Sequence, residues 1–366
     1  MVTTGSLRKI KNPAPAAVPK TARRAVYLLF VLLAVFIVAG CSSAPVTAEK
    51  QVAQKPLLWP APPEPARISY SQSISRPEDI GLKKGVFKRM LEFVLGPAMR
   101  DIIKPYGINT DTKGRLLVAD TAFKRIHIYD IKERKYSFID RVGKKPLVSP
   151  IGVATDGEDN IYVTDSVAAK VFVFNRKGKF LFDIDGGERP TGIAVNRELK
   201  LLYVVDTGAN KVRVFDLKGN RKKTFGSLGA NPGQFNYPVD IFIDRNGEVY
   251  VVDTMNYRVQ IFNEQGYFIS AFGSQGDGTG NFGRPKGVAV DSDGNIYVAD
   301  AIFDTVQIFS RRGDFLLNFG QLGSKRGEFW MPGGLYIDNG DNVYVADTYN
   351  KRVQAFEYLG GGGQGF

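Results

Sequence analysis

A single pattern, repeated six times, limits what this chain can become. Between residues 105 and 358 each unit opens on a proline, often followed by a glycine, and continues through an apolar stretch and an Asp-containing turn. A Tyr/Val-rich stretch ending in Asp follows, then a basic residue five positions later and an alternating stretch ending in an aromatic. The terminal aspartates are Asp120, Asp165, Asp206, Asp253, Asp300 and Asp347, spaced 45, 41, 47, 47 and 47 residues apart; the matching prolines are Pro105, Pro150, Pro190, Pro238, Pro285 and Pro332. Periods in the forties, with several short strands per unit, are the mark of propeller blades. One such unit cannot bury its own faces and must stack on its neighbours.

The spacing predicts an all-β, six-bladed β-propeller of four-stranded antiparallel blades. In the unit from Pro285 to Gly320 the four strands read as Gly287 to Val290, Ile296 to Ala299, Val306 to Phe309 and Phe315 to Phe319 (strands a to d). The first turn is Asp293-Gly294, and Gly294 with its counterparts Gly114, Gly157 and Gly247 is expected to supply the positive φ of a tight hairpin. The sixth unit runs from Phe356-Glu357 into Gly360 to Gly363 and has no strand d of its own. An unassigned strand pattern at residues 66–75 is therefore expected to close the ring and remove two open sheet edges. Between it and the first blade, Val86 to Leu95 has apolar residues at helical spacing. That predicts one short helical insertion, residues 83–98, either capping the junction of blades 6 and 1 or docking a partner.

With its Gly-rich loop, Pro, Asp-x-x-Gly, Tyr-Val-x-Asp and Asn-x-Arg-Val-x-x-Phe, the unit resembles the NHL repeat, whose domains are six-bladed propellers. The likeness spans residues 105–358 and is strongest in blades 3 to 6, as in Asp253-Thr254-Met255-Asn256-Tyr257-Arg258-Val259 and Asp347-Thr348-Tyr349-Asn350-Lys351-Arg352-Val353. Blades 1 and 2 depart from it in their loops.

The formal charge of +12 is half a matter of the N-terminus, because residues 1–40 hold Arg8, Lys9, Lys11, Lys20, Arg23 and Arg24 and no acid. A basic segment, an apolar run from Ala25 to Val38 and then Val38-Ala39-Gly40-Cys41 have the layout of an export signal, and the run is short for a membrane span. The last four residues resemble the lipobox of bacterial lipoproteins, which implies cleavage after residue 40 and a diacylglycerol thioether on Cys41. Cys41 is the sole cysteine, so no internal disulfide forms. Several acyl chains on one residue would anchor the protein stably. By the same resemblance, Ser42 after the Cys, in place of Asp, favours transfer to an outer membrane where the organism has one. Residues 41–65, rich in Ala and Pro, read as a semi-rigid tether ahead of a propeller domain at 66–366. These readings place the protein in the bacterial cell envelope, with the membrane as one partner. The remaining basic residues form no dense run, and export conflicts with the RNA binding of some animal NHL domains, so nucleic acid is not expected.

Catalytic chemistry is thin in this sequence. His127 is the only histidine and aligns with Arg213, Gln260, Gln307 and Gln354 on the polar side of strand c, so neither a His-ligated zinc site nor a Ser-His-Asp triad can be assembled. Some propellers related to NHL domains are zinc-dependent lyases, whose ligands this chain lacks. Asp291-Ser292-Asp293-Gly294 and Asp338-Asn339-Gly340-Asp341 are similar to calcium loops but lack the later Glu. No catalytic residue, metal or cofactor is assigned beyond the lipid on Cys41. Each repeat Asp is expected to pair with a cation five residues on, Arg125, Lys170, Lys211, Arg258 or Arg352, with Thr305 breaking the pattern in blade 5.

In a propeller meander the b–c turns and the d-to-a crossovers share the top face, and the a–b and c–d turns share the bottom. The bottom reads as a solvated surface of mixed sign. Long crossovers occur only at residues 226–237, 273–284 and 320–331. Phe235, Phe282 and Phe329 recur within them at one offset, as wedges between blades would. The variable top-face residues Trp330, Met331, Phe303, Ile302, Tyr237, Tyr257, Met255 and Tyr349 suggest a partner-binding patch. Lys104, Arg189, Arg284 and Lys286 flank the unit prolines, where they either converge on the axial mouth and bind an anion or splay outward toward acids such as Glu188. The expected function is a lipid-anchored scaffold that binds another envelope protein or a peptide. The rival is a calcium-dependent, lactonase-like hydrolase with an axial site, as in other six-bladed propellers, and it requires several inward-facing acids.

Overall fold

The computed structural model describes residues 55–82 and 100–360. Six antiparallel sheets stand radially around one axis, each meandering outward from strand a to strand d. In blade 5 the strands are Pro285–Val290, Ile296–Asp300, Thr305–Phe309 and Phe315–Phe319, each within two residues of the sequence expectation. Strand b is buried along its length in blades 1, 2, 4 and 5, because a neighbouring blade covers each of its faces. Near-continuous Val, Ile, Leu and Tyr suit a strand in that position.

The hydrophobic core is divided into six clusters, one at each blade junction. Large rings fill them: Tyr162, Tyr203, Tyr250 and Tyr297 from successive b strands, and Phe235, Phe282 and Phe329 from the long crossovers, are all fully buried. The three phenylalanines wedge blades as the sequence suggests. Threonines after the repeat Asp tie one blade to the next. Thr207 Oγ1 donates to the Pro238 carbonyl (2.6 Å), Thr254 Oγ1 to Pro285 (3.0 Å) and Thr348 Oγ1 to Pro105 (3.0 Å), the last bond joining blade 6 to blade 1.

The ring closes through the N-terminal side of the domain. Ile68–Ile74 lies antiparallel to Arg352–Tyr358, the strand c of blade 6, with Ile68 and Ile74 fully buried. Leu58–Trp59 then adds a fifth strand outside it. The Trp59 ring contacts Phe319 and Phe356, both at 5.8 Å. The stretch read as tether up to residue 65 therefore folds onto blade 6 from about residue 56, because its indole completes an apolar junction.

A second departure concerns hairpin turns. Gly114, Gly247 and Gly294 have φ of 75°, 81° and 84°, whereas in blade 2 the left-handed residue is Asp159, at 63°, and not Gly157. An Asp tolerates that conformation better than most side chains, and here its carboxylate is fixed by the N–H and hydroxyl of Thr112. The helical insertion expected at 83–98, the signal segment 1–40 and Cys41 lie outside the described residues.

Candidate ligand site on the propeller axis and top face

The inner ends of the a strands crowd the axis. At the second position after the unit proline stand Gly107, Gly152, Gly192, Gly287 and Gly334, where a Cβ would come within 2.8 Å of the next strand's backbone; the Ile151 carbonyl, for instance, would lie 2.4 Å from a Cβ on Gly107. The equivalent residue of blade 4 is Asp240, the one side chain admitted to this ring. It lines the axial cavity and accepts the Val288 N–H through Oδ2 at 3.1 Å. Burial pushes its carboxyl up to about 7. Tyr106, one residue after Pro105, also lines the cavity, and its hydroxyl is held far above the ordinary range by burial, with Asp240 adding to the effect. Sequence reasoning passed over both, although Asp240 is visible as the exception to a Pro-x-Gly rule.

Three of the four cations beside the unit prolines lie close enough for their charges to act on one another. Lys286 is pushed down to about 8 by burial and then by the charges of Arg284 and Arg189. Arg189 donates from Nη1 to the Tyr237 hydroxyl at 2.6 Å, with its guanidinium 5.4 Å from the centre of that ring. Lys104 lies elsewhere, its ammonium 5.9 Å from the Tyr349 ring.

That lysine belongs to the aromatic shelf. Trp330 and Tyr349 contact each other at 5.5 Å and are 48% and 45% exposed, and Ile302 and Met255 are 53% and 50% exposed. Met331, Phe303, Tyr237 and Tyr257 are only half-buried, and the two tyrosines pack on the core between blades 4 and 5.

The axial cavity, about 590 Å³, extends to the a–b turns of the bottom face, where Arg197, Arg245 and Asn339 line it. This opening was not foreseen in a face read as plain solvated surface. Arg197 Nη2 donates to Thr155 Oγ1 (3.0 Å), which donates in turn to Asn109 Oδ1 (2.9 Å), so the polar groups there are tied to one another.

All six repeat aspartates are fully buried. Each accepts at least one N–H from the crossover that enters its own blade, as Asp120 does from Ile103 (2.7 Å) and Lys104 (3.2 Å) and Asp253 from Asn236 (2.7 Å). Their cations differ from the expected set. Arg258 and Arg352 pair as expected, at 2.8 and 2.7 Å. In blade 3 the partner is Arg213, at 2.8 Å, and not Lys211; in blade 2 Lys170 turns to Asp183, at 3.1 Å. In blade 1 His127 Nε2 lies 3.4 Å from Asp120, while Arg125 stacks on Phe123 and Phe138. Residues five and seven positions after the Asp share one face of strand c, so either can reach it. His127 thus occupies the place of Gln260 and Gln354, which donate to Asp253 (3.1 Å) and Asp347 (3.0 Å).

The calcium-like turns satisfy themselves. The Asp291 carboxylate accepts N–H groups of Asp293 and Asn295 together with the Asn295 amide and the Tyr297 hydroxyl. Asp338 accepts the N–H groups of Gly340 and Asn342. Among the described residues no three His, Cys, Asp or Glu side chains are placed to share a metal ion; Asp240 is the single acid at the position two after a unit proline, and Glu198, Asp244 and Asp338 also line the axial cavity.

Residues 329–356 match the NHL repeat, and residues 193–257 and 245–306 match a 6-bladed beta-propeller family. The chain is a six-bladed β-propeller whose sixth blade carries an NHL repeat. No curated protein matches it in sequence. Among solved structures it resembles a Bacteroides thetaiotaomicron protein of unknown function (18% identity, TM-score 0.57, 71% of this chain and 70% of that one). It also resembles an auxiliary nutrient binding protein from the same organism (12%, TM-score 0.57, 71% of each) and virginiamycin B lyase from Staphylococcus aureus (13%, TM-score 0.53, 70% of this chain and 95% of that one). At these identities the likeness is one of fold.

Proposed function

We propose that this NHL-repeat propeller is a binding scaffold of the bacterial envelope, anchored by lipid on Cys41, which receives an anionic group of another envelope protein or a peptide at its axial mouth. The observation that carries the reading is that Arg189, Arg284 and Lys286, each beside a unit proline, act on one another's charge and, for the two arginines, on Tyr106 of the axial cavity, while Trp330, Tyr349 and Ile302 are exposed. Cations in a partly desolvated opening focus positive potential, and arginine grips carboxylate or phosphate in two-point fashion. Exposed aromatic and aliphatic side chains beside them supply the apolar contact of a protein interface. A binding role agrees with the fold, since one similar propeller is described as an auxiliary nutrient binding protein.

The deciding experiment replaces Arg189 and Arg284 with alanine and measures binding of an acidic peptide across ionic strength. Affinity should fall at least tenfold at low salt, and the difference from wild type should shrink as salt screens the native contact. Equal affinity at low ionic strength would remove the mouth from consideration. Anchoring is checked separately: Cys41→Ser should abolish palmitate incorporation and leave an uncleaved or soluble precursor, and labelling that survives the substitution would refute it.

A further inference from the structure

The crossovers that enter blades 4, 5 and 6 are three copies of one shape. Each contains an isolated parallel bridge, Leu228 to Phe235, Gln275 to Phe282 and Leu322 to Phe329. In two copies an arginine from strand c of the covered blade props the loop from beneath. Arg258 donates to Asp253 (2.8 Å) and to the carbonyls of Ala230 (2.8 Å), Asn231 (3.2 Å) and Gln234 (2.9 Å). Arg352 donates likewise to Asp347 (2.7 Å) and to the carbonyls of Lys325 (2.6 Å) and Glu328 (2.9 Å). An asparagine assists in both: Asn256 reaches the Gly229 carbonyl (2.9 Å) and Asn350 that of Gly323 (2.7 Å).

Blade 5 has neither side chain. In register, Phe303 replaces the asparagine and Thr305 the arginine. Thr305 turns its hydroxyl to the Phe319 carbonyl at 2.8 Å. Asp300 is as buried as Asp253 and Asp347, yet it is held by the N–H groups of Gly283, Arg284, Ile302 and Phe303, with no cation paired to it among the described residues. A cavity of about 330 Å³ opens under this crossover, walled by Asp277, Gly278, Phe303, Thr305, Gln307 and Leu322. Asp277 and Gly278 are the counterparts of Ala230 and Asn231, whose carbonyls hold the Arg258 guanidinium. Asp165 also lacks an arginine, but the crossover above it, residues 140–149, has a different shape, a small antiparallel hairpin in place of the parallel bridge.

We propose that this cavity accepts the side chain of an arginine carried by a partner polypeptide, which brings from outside the guanidinium that blades 4 and 6 provide from within. A guanidinium is planar, offers five donors to clustered carbonyl oxygens and stacks on an aromatic face such as Phe303. The Asp277 carboxylate at the rim adds charge complementarity. A lysine would meet the acid but not the divergent carbonyls and the ring together. The inference rests on the scaffold reading only in requiring a polypeptide partner, and it names one residue that the partner presents.

The test uses the full chain in detergent and a short blocked peptide with one arginine, Gly-Arg-Gly, followed by fluorescence anisotropy. Binding is expected, at least tenfold weaker when citrulline replaces arginine and weakened in the same sense by lysine. Thr305→Arg should fill the cavity with the protein's own guanidinium, raise Tm by a few degrees and abolish peptide binding. Should that variant fail to fold, Thr305→Met blocks the same space without a charge and should also abolish binding. Absence of binding to wild type, equal binding of the citrulline peptide, or undiminished binding by the folded filling variant would overturn the proposal. The Arg189→Ala/Arg284→Ala protein should bind this peptide normally, so failure of the axial mouth and failure of this cavity are distinguishable.

Discussion

Asp240 and Lys286 sit on adjoining innermost strands, and burial moves their proton affinities in opposite senses. The folded Asp240 carboxyl titrates near 7 against an ordinary 3.8, so the folded state holds a proton that the unfolded chain has released. Its contribution is fully present below about pH 4 and is lost as pH rises through 7. Lys286 titrates near 8 against an ordinary 10.5, so its charge costs stability at low pH and that cost is relieved between about 8 and 10.5. Tyr106, Arg189 and Arg284 also face this region, and the arginines should temper the carboxylate's cost. Asp240→Asn keeps an acceptor for the Val288 N–H while removing the charge. It should stabilise the domain at pH 8 by about 2–4 kcal/mol, at about 1.4 kcal/mol per tenfold change in proton affinity, and be neutral near pH 4. Thermal unfolding from pH 4 to 9 measures this; an equal effect at both ends would show that ionisation is not the cause. At this scale the sequence was partly legible. The sequence offers Arg189, Arg284 and Lys286 as neighbours of the unit prolines, but the meaning of Asp240 needed the close approach of the five glycines, which is a property of neighbouring strands.

The closing hairpin is the element whose loss should cost most. Ile68 and Ile74 are fully buried, and Trp59 packs on Phe319 and Phe356. At about 1.5–3 kcal/mol for each buried aliphatic side chain, a chain beginning at residue 76 should lose at least 3–6 kcal/mol. Calorimetry on the truncated and intact chains decides this, and an unchanged Tm would mean that the seam is not load-carrying. Strand positions were readable because strand b is covered on both sides and its apolar run ends at a fixed Asp. The fifth strand was not readable, since two residues among prolines carry no periodicity and only Trp59 hinted at burial. The choice of cation for each repeat Asp was equally hidden, because side chains two residues apart on strand c point the same way and compete for one carboxylate.

Taken entire, the ring is sixfold in its core but uneven on top, because the parallel-bridged loop recurs only in the consecutive crossovers at 226–237, 273–284 and 320–331. Trp330, Ile302 and Met255 are exposed there beside the axial mouth. Replacing Trp330 and Ile302 together with alanine should weaken capture of an envelope partner while changing stability by no more than about 1 kcal/mol, since exposed loop positions usually shift it within ±0.5 each. A pull-down paired with thermal unfolding tests both halves, and a large loss of stability would mark the two side chains as structural. The chain enters and leaves this ring within a single sheet: Leu359 donates its N–H to the Arg67 carbonyl at 2.9 Å, and the strands beside them are already paired. Gene order and ring order are therefore separable. A permuted gene that joins residue 360 to residue 56 through a short linker, and starts instead at an exposed turn of another blade, encodes the same six interfaces with both ends moved away from the seam.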